Sequence, residues 1–158
     1  MKKWLFACLT LFSFSALANV NLRDVQLKDL NLQPIALSQY QGKPLYIKMW
    51  ASWCSICLAT LEETDALSGQ QNQDFAVITV VSPNHLHEKS TEKFVQWFKG
   101  LEYKNLVVLI DEQSELLQRA GVKGYPHNLL LDKNLQLQQS IQGYLAPEKL
   151  RAEMAKLK

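Results

Sequence analysis

Three stretches leave this chain little freedom in how it can fold: "LYIKMW" at 45–50, "FAVITVV" at 75–81 and "NLVVLID" at 105–111. Each is dense in strand formers, and the last two are continuous apolar runs, the pattern of strands buried on both faces. Helical spacing fills the gaps between strands. From about Ser55 to Ser68 a single helix is predicted, with Cys57 and Leu61 four apart and Leu58 and Leu61 three apart. Phe94, Phe98 and Leu101 repeat in the same way behind Ser90 or Thr91, either of which can cap a helix. "EQSELLQRAG" predicts a short helix stopped by Gly121. "HNLLLD" and "LQLQQSIQGY" predict a hairpin across the Asp132-Lys133-Asn134 turn, and Pro147 opens a last helix carrying Leu150, Met154 and Leu157 on one face. Near the start, "DVQLKDL" and "QPIALSQY" alternate like short strands. Strands alternating with helices imply an α/β domain: a central mixed sheet flanked by helices, with the final hairpin as an antiparallel edge.

The first 18 residues stand outside that pattern. Met1-Lys2-Lys3 is a basic start, residues 4–18 carry no charge, and Ala16-Leu17-Ala18 is a small-x-small site. Together these predict an export signal over 1–18, cleaved after Ala18, and one domain over 19–158. The apolar run is short for a membrane span, which needs ~20 residues, so an uncleaved anchor is the second choice. Cleavage of the 158-residue chain leaves 140 residues with 15 basic and 15 acidic side chains. A net charge near zero argues against a nucleic-acid partner, which would call for a basic excess or stripe. One domain with one core is expected at this length, and a monomer is the expected state without the length deciding it.

Cleavage also removes Cys8 and leaves two cysteines, Cys54 and Cys57, spaced C-x-x-C at the end of the 45–50 strand. A disulfide between them closes a very small loop and constrains the unfolded chain little, so a structural staple is a poor explanation. A structural zinc site needs about four Cys or His ligands, and His85, His87 and His127 have no ligand spacing to the pair. A working dithiol fits best. At a strand-to-helix junction Cys54 meets the unpaired N–H groups of a helix start, which favour a thiolate and make it the nucleophile. Cys57, one turn on and more buried, is then the resolving thiol. An exported compartment lets such a disulfide form and persist.

"PLYIKMWASWCSIC" followed by "GYPHNLLLD" resembles the thioredoxin-like family, in particular its exported TlpA-like branch, across essentially the whole of 19–158. The resemblance implies a thioredoxin fold with an amino-terminal extension and an inserted helix. It also implies that Tyr125-Pro126 is the family's cis-proline step, which packs beside the dithiol and binds the partner chain. "IKMWASWCSICL", "ITVVSPNHLHEKS" and "FVQWFKGLEY" are similar to the amino-terminal domain of PilB-type methionine sulfoxide reductases. That likeness implies a periplasmic electron carrier. Its partners would be a membrane thiol transporter of the DsbD/CcdA type and an oxidised client such as a methionine sulfoxide reductase. Apocytochrome c is the alternative client. A copper-binding or delivery role is the alternative from another class, since soft thiolates suit Cu(I). Beyond the dithiol itself no cofactor is implied.

Several residues depart from the family pattern. Ser55-Ile56 between the cysteines lacks the common proline and is expected to tune the potential, leaving oxidant or reductant open. His127 follows Pro126 where threonine is common, and an imidazole there could raise thiolate character. Lys48 stands six before Cys54, where cytoplasmic thioredoxins keep an aspartate, and Thr60 stands where many TlpA-like chains carry a glutamate. Glu62 and Glu63 are not expected on the face of Thr60, so the proton acceptor for Cys57 is left unassigned. Lys48 in an apolar strand is expected either to snorkel to the surface or to pair with a carboxylate. Trp53, beside the nucleophile, is expected on the partner-binding surface and Trp50 in the core. Phe94, Trp97 and Phe98 are expected to pack a helix, and His85, His87 and Glu88 to lie in a solvated loop.

Overall fold

The computed structural model describes residues 20–157. The expected leader, residues 1–18, lies outside them. A seven-stranded mixed sheet forms the centre, in the order β2-β1-β5-β4-β3-β6-β7. Its strands are β1 (Gln26–Lys28), β2 (Pro34–Ala36), β3 (Leu45–Met49), β4 (Ala76–Val81), β5 (Val108–Ile110), β6 (His127–Leu131) and β7 (Leu137–Gln142). The helices are α1 (Ser55–Ala59), α2 (Leu61–Ser68), α3 (Thr91–Phe98), α4 (Glu115–Arg119) and α5 (Pro147–Met154). This is the α/β arrangement that the alternation of strands and helices predicts, in the thioredoxin-like form that the resemblance implies. β3 pairs parallel with β4 and antiparallel with β6, so every backbone group along it has a neighbour, and all five of its residues are buried. Its side chains alternate between the sheet faces. Leu45, Ile47 and Met49 join a core with Leu22, Ile78, Leu116, Leu129 and Leu131 on one face. On the other face, Tyr46 packs with Leu130, Leu150 and Met154, and Trp50 packs with Phe94, Val81 and both cysteines.

Three elements differ from expectation. "QPIALSQY" is a strand only over Pro34–Ala36 and turns into a 3-10 helix over Leu37–Tyr40. The 105–111 strand is shorter, because the N–H groups of Asn105 and Leu106 each donate to Asp65 Oδ1 at 2.8 Å rather than to the sheet. The 55–68 helix is two helices, broken at Thr60 (φ −112°, ψ 6°). Lys48 explains the break. It is buried, and it neither snorkels nor meets a carboxylate within ion-pair distance. Its Nζ donates to Thr60 O at 3.1 Å, Thr60 Oγ1 at 2.8 Å and Thr64 Oγ1 at 3.0 Å. Thr60 Oγ1 in turn bonds back to Ile56 O at 2.9 Å and Cys57 O at 3.2 Å, the kind of local bond that bends a helix. The continuing helical bond, Thr64 N to Thr60 O, is long at 3.4 Å. The buried ammonium has drawn the oxygens of one turn to itself.

Hydroxyls solvate a cation less well than water does. Burial lowers the Lys48 pKa to about 8 from the ordinary 10.5, and the field of Glu63 offsets this only in part. Lys48→Met keeps the volume and leaves the Thr60 hydroxyl donating to Ile56 O and the Thr64 hydroxyl to Thr60 O. The folded pKa lies below the unfolded one, so between pH 8 and 10.5 the unfolded chain binds more protons and stability rises with pH. Urea unfolding is therefore expected to show a wild type that gains up to roughly 3 kcal/mol across that window. Lys48→Met should be more stable than wild type at pH 7 and should lack that gain.

Candidate active site

β3 ends at Met49, and the chain leaves the sheet through Trp50, whose N–H still donates to Val80 O at 3.2 Å. Cys54 N donates to Ala51 O at 3.1 Å, closing a turn that makes Cys54 the N-cap of α1. Its sulfur occupies the acceptor position that Ser or Asp fills in ordinary caps, receiving the Cys57 N–H at 3.2 Å. Cys54 and Cys57 are joined as a disulfide. Cys57 is fully buried, whereas Cys54 keeps 4% of its surface. The two sulfurs are thus chemically unequal. Opening the bond leaves Cys54 as a sulfur that faces N–H donors near solvent, and Cys57 as one enclosed by Trp50, Leu61 and Phe94.

The loop before Cys54 is held by a residue that sequence reasoning missed. Glu88 was expected in a solvated loop and is instead buried against Ser52. Its Oε2 accepts the Ser52 N–H, and its Oε1 accepts the Ser52 hydroxyl at 2.7 Å and the Lys89 N–H at 2.6 Å. Lys89 Nζ closes the network on Ser52 Oγ and lies 5.2 Å above the Trp97 ring. The segment carrying Glu88 turns inward through three left-handed residues, Asn84, Leu86 and His87, at φ 60°, 45° and 67°. Backbone geometry of that kind leaves no mark in hydrophobic periodicity, and "HLHEK" reads as polar loop by composition. His85 is half-buried and His87 exposed.

The Tyr125–Pro126 bond is cis. The Tyr125 ring lies 6.2 Å from that of Trp53, and Tyr125 packs against the cluster that holds both cysteines. Burial pushes the Tyr125 hydroxyl up to about 12, so it stays protonated near neutrality. Trp53 (50% exposed) and Ile56 (49% exposed) rise on either side of Cys54, with Ser55 also exposed. Trp53 and Tyr125 therefore lie side by side next to the cluster that holds the dithiol, and Pro126, after Tyr125, is buried. Trp50 is core as expected, 5.6 Å from Phe94 and 6.1 Å from Phe98.

His127 opens β6. It pairs across the sheet with Met49, and cross-strand partners share a face. That face is opposite to Trp50 and the cysteines. There His127 Nε2 lies 2.7 Å from Ser140 Oγ, and burial lowers its pKa, which favours the neutral ring. Among the described residues no group of three or more His, Cys, Asp or Glu could hold a metal ion.

Residues 17–156 match the family model described as Redoxin. The chain belongs to the Redoxin family. The exposed lipoprotein thioredoxin Etrx1 of Streptococcus pneumoniae superposes with a TM-score of 0.81 at 41% identity, covering 85% of this chain and 99% of that one. The N-terminal domain of PilB from Neisseria gonorrhoeae superposes with a TM-score of 0.76 at 30% identity, covering 82% and 86%. The thiol-disulfide oxidoreductase ResA of Geobacillus thermodenitrificans is 27% identical over 138 residues, 85% of this chain and 75% of that protein. Family and site agree: the chain is a thiol–disulfide oxidoreductase whose redox-active group is the Cys54–Cys57 disulfide. Its active-site loop depends on a carboxylate from a distant loop. Glu88→Ala leaves the buried Ser52 N–H without an acceptor and is expected to cost about 1–3 kcal/mol in urea unfolding of the oxidised protein. Glu88→Gln, which keeps an acceptor oxygen, should cost less.

Proposed function

We propose that this Redoxin-family chain is a periplasmic electron carrier, exported by its leader over 1–18 and working as a reductant. A membrane thiol transporter of the DsbD/CcdA type reduces the disulfide. The dithiol then reduces an oxidised client, a methionine sulfoxide reductase in the first instance. The observation that carries the reading is the inequality of the two sulfurs, Cys54 capping α1 with 4% of its surface open and Cys57 fully buried behind it. Cys54 attacks the client disulfide and forms a mixed disulfide. Cys57 then attacks Cys54 Sγ, releases the reduced client and restores the intramolecular bond. The direction and the client class are supported by the similarity to the PilB N-terminal domain.

Trp53, Tyr125 and Pro126 form the surface on which the partner chain lies, with Ile56 opposite, and the exposed Ser55-Ile56 pair sets the potential. An exposed aromatic residue such as Trp53 beside a buried reactive atom suits a docking rim, because it buries much area at little entropic cost.

Cys57→Ala removes the resolving thiol and should hold partners as mixed disulfides on Cys54. Affinity purification of that variant from periplasm, with mass spectrometry of the adducts, is expected to name a sulfoxide reductase and a membrane thiol transporter. Adducts dominated by apocytochrome c would replace the client. Absence of any Cys54 adduct would overturn the carrier reading.

A further inference from the structure

Residues 51–54 carry the chain from the last sheet bond, at Trp50, to the first residue of α1. Cys54 N donates to Ala51 O at 3.1 Å, so Ser52 and Trp53 are the middle residues of a turn and the nucleophile is its last. Among the described residues, every hydrogen bond that 51–53 make to another segment ends on Glu88 or Lys89. Both oxygens of the Glu88 carboxylate are used. One takes the Ser52 N–H and the other the Ser52 hydroxyl. Glu88 and Ser52 keep 6% and 7% of their surface, so water competes little for these bonds.

The arm that brings Glu88 in is itself held. Asn84 N donates to Lys89 O at 3.0 Å, His85 N to Ser82 O at 3.3 Å and Glu88 N to His85 O at 2.9 Å. Leu86 packs against the core that Leu45, Ile47 and Met49 join. Left-handed backbone at Leu86 and His87 is costly for residues with a side chain, and it persists because these contacts fix it. A loop held in this way passes its order on to the turn it grips. Lys89 Nζ lies on the same Ser52 hydroxyl and offsets the field of the carboxylate, so the bonds rather than the charge set what Glu88 does to its neighbours.

Closing the Cys54–Cys57 bond requires the two sulfurs to be held together, and ordering the 51–54 turn is part of that cost. Where the turn is already held, ring closure costs less. We propose that Glu88 is a positioning residue that sets the redox poise of the dithiol. By holding the Ala51–Cys54 turn through Ser52 it favours the disulfide over the dithiol, and so makes the protein a stronger reductant. Linkage requires the converse as well: the disulfide strengthens the grip of Glu88 on Ser52. A residue that only stabilised the fold would act equally on both redox states and leave the poise where it was. The effect belongs to the dithiol alone and holds whichever client the Cys57→Ala trap names.

The test is the equilibrium with dithiothreitol at neutral pH. One dithiothreitol gives up two electrons and two protons and closes its own disulfide ring, and the Cys54–Cys57 disulfide takes them up to become two thiols. The fraction reduced, read by maleimide labelling and mass spectrometry across a series of reduced-to-oxidised dithiothreitol ratios, gives the equilibrium constant. Glu88→Ala should shift this constant toward the dithiol roughly tenfold, because bonds to a charged group are lost more heavily from one redox state; that is about 30 mV for a two-electron couple. Glu88→Gln keeps an acceptor oxygen and should shift it less. Ser52→Ala leaves both charges and the backbone bond in place and removes only the hydroxyl; it should shift the constant the same way by roughly threefold. An unchanged constant, or a shift toward the disulfide, in a folded Glu88→Ala protein overturns the proposal. So does an unchanged constant in Ser52→Ala, whether or not Glu88→Ala folds.

Discussion

Everything at the working end of this molecule depends on β3 being buried on both sides. Parallel pairing with β4 and antiparallel pairing with β6 fix its register from Leu45 to Met49, so its alternation admits no slip. One face of the strand then belongs wholly to the apolar core. The other carries Tyr46, Lys48 and Trp50 in succession and meets the helices. Cys54 stands where the strand has ended and the first helical turn has just closed, so its sulfur becomes a cap. Slipping the strand by one residue would turn Lys48 into the Leu45–Ile47–Met49 core and Trp50 away from the cysteines.

How much of this was legible in the sequence follows from what each feature depends on. The sheet, its helices and the C-x-x-C junction are governed by local periodicity, and "LYIKMW", "FAVITVV" and "HNLLLD" announced them. The Tyr125–Pro126 step and the burial of Trp50 were legible through family resemblance and apolar context. What escaped depends on contacts distant in the chain. Glu88 meets Ser52 across 36 positions, and Asp65 takes the strand end at Asn105 across 40. The break at Thr60 is imposed by Lys48 from 12 positions away, so a reading of helical spacing alone joined α1 to α2 and put Glu63 out of phase. The cross-strand pairing of His127 with Met49 was not legible either, because nearness in sequence to Pro126 does not show which side of β6 a residue faces.

The site combines a stiff floor with an open rim. Glu88, Ser52 and Lys89 pin the loop before Cys54 by hydrogen bonds, and Cys57 packs in one cluster with Trp50, Phe94 and Phe98, where Trp50 meets Phe94 edge-on and Phe94 stacks on Phe98. Trp53 and Ile56 stand free above them. A rigid nucleophile under an exposed apolar rim favours partners recognised by contact area and by access to one sulfur, rather than by a deep pocket. Lys48 is the exception in this arrangement, a charge kept inside at a cost in stability.

The central claim is that fold position makes the two sulfurs unequal, with Cys54 the thiolate. Alkylation of the reduced protein by iodoacetamide across a pH series, with peptide mapping of the labelled cysteine, tests it directly. Cys54 should be labelled first, with a midpoint below the ordinary thiol value of about 8.5, while Cys57 stays unlabelled in the folded protein. Equal labelling of the two, or a Cys54 midpoint at or above the ordinary value, would contradict the account.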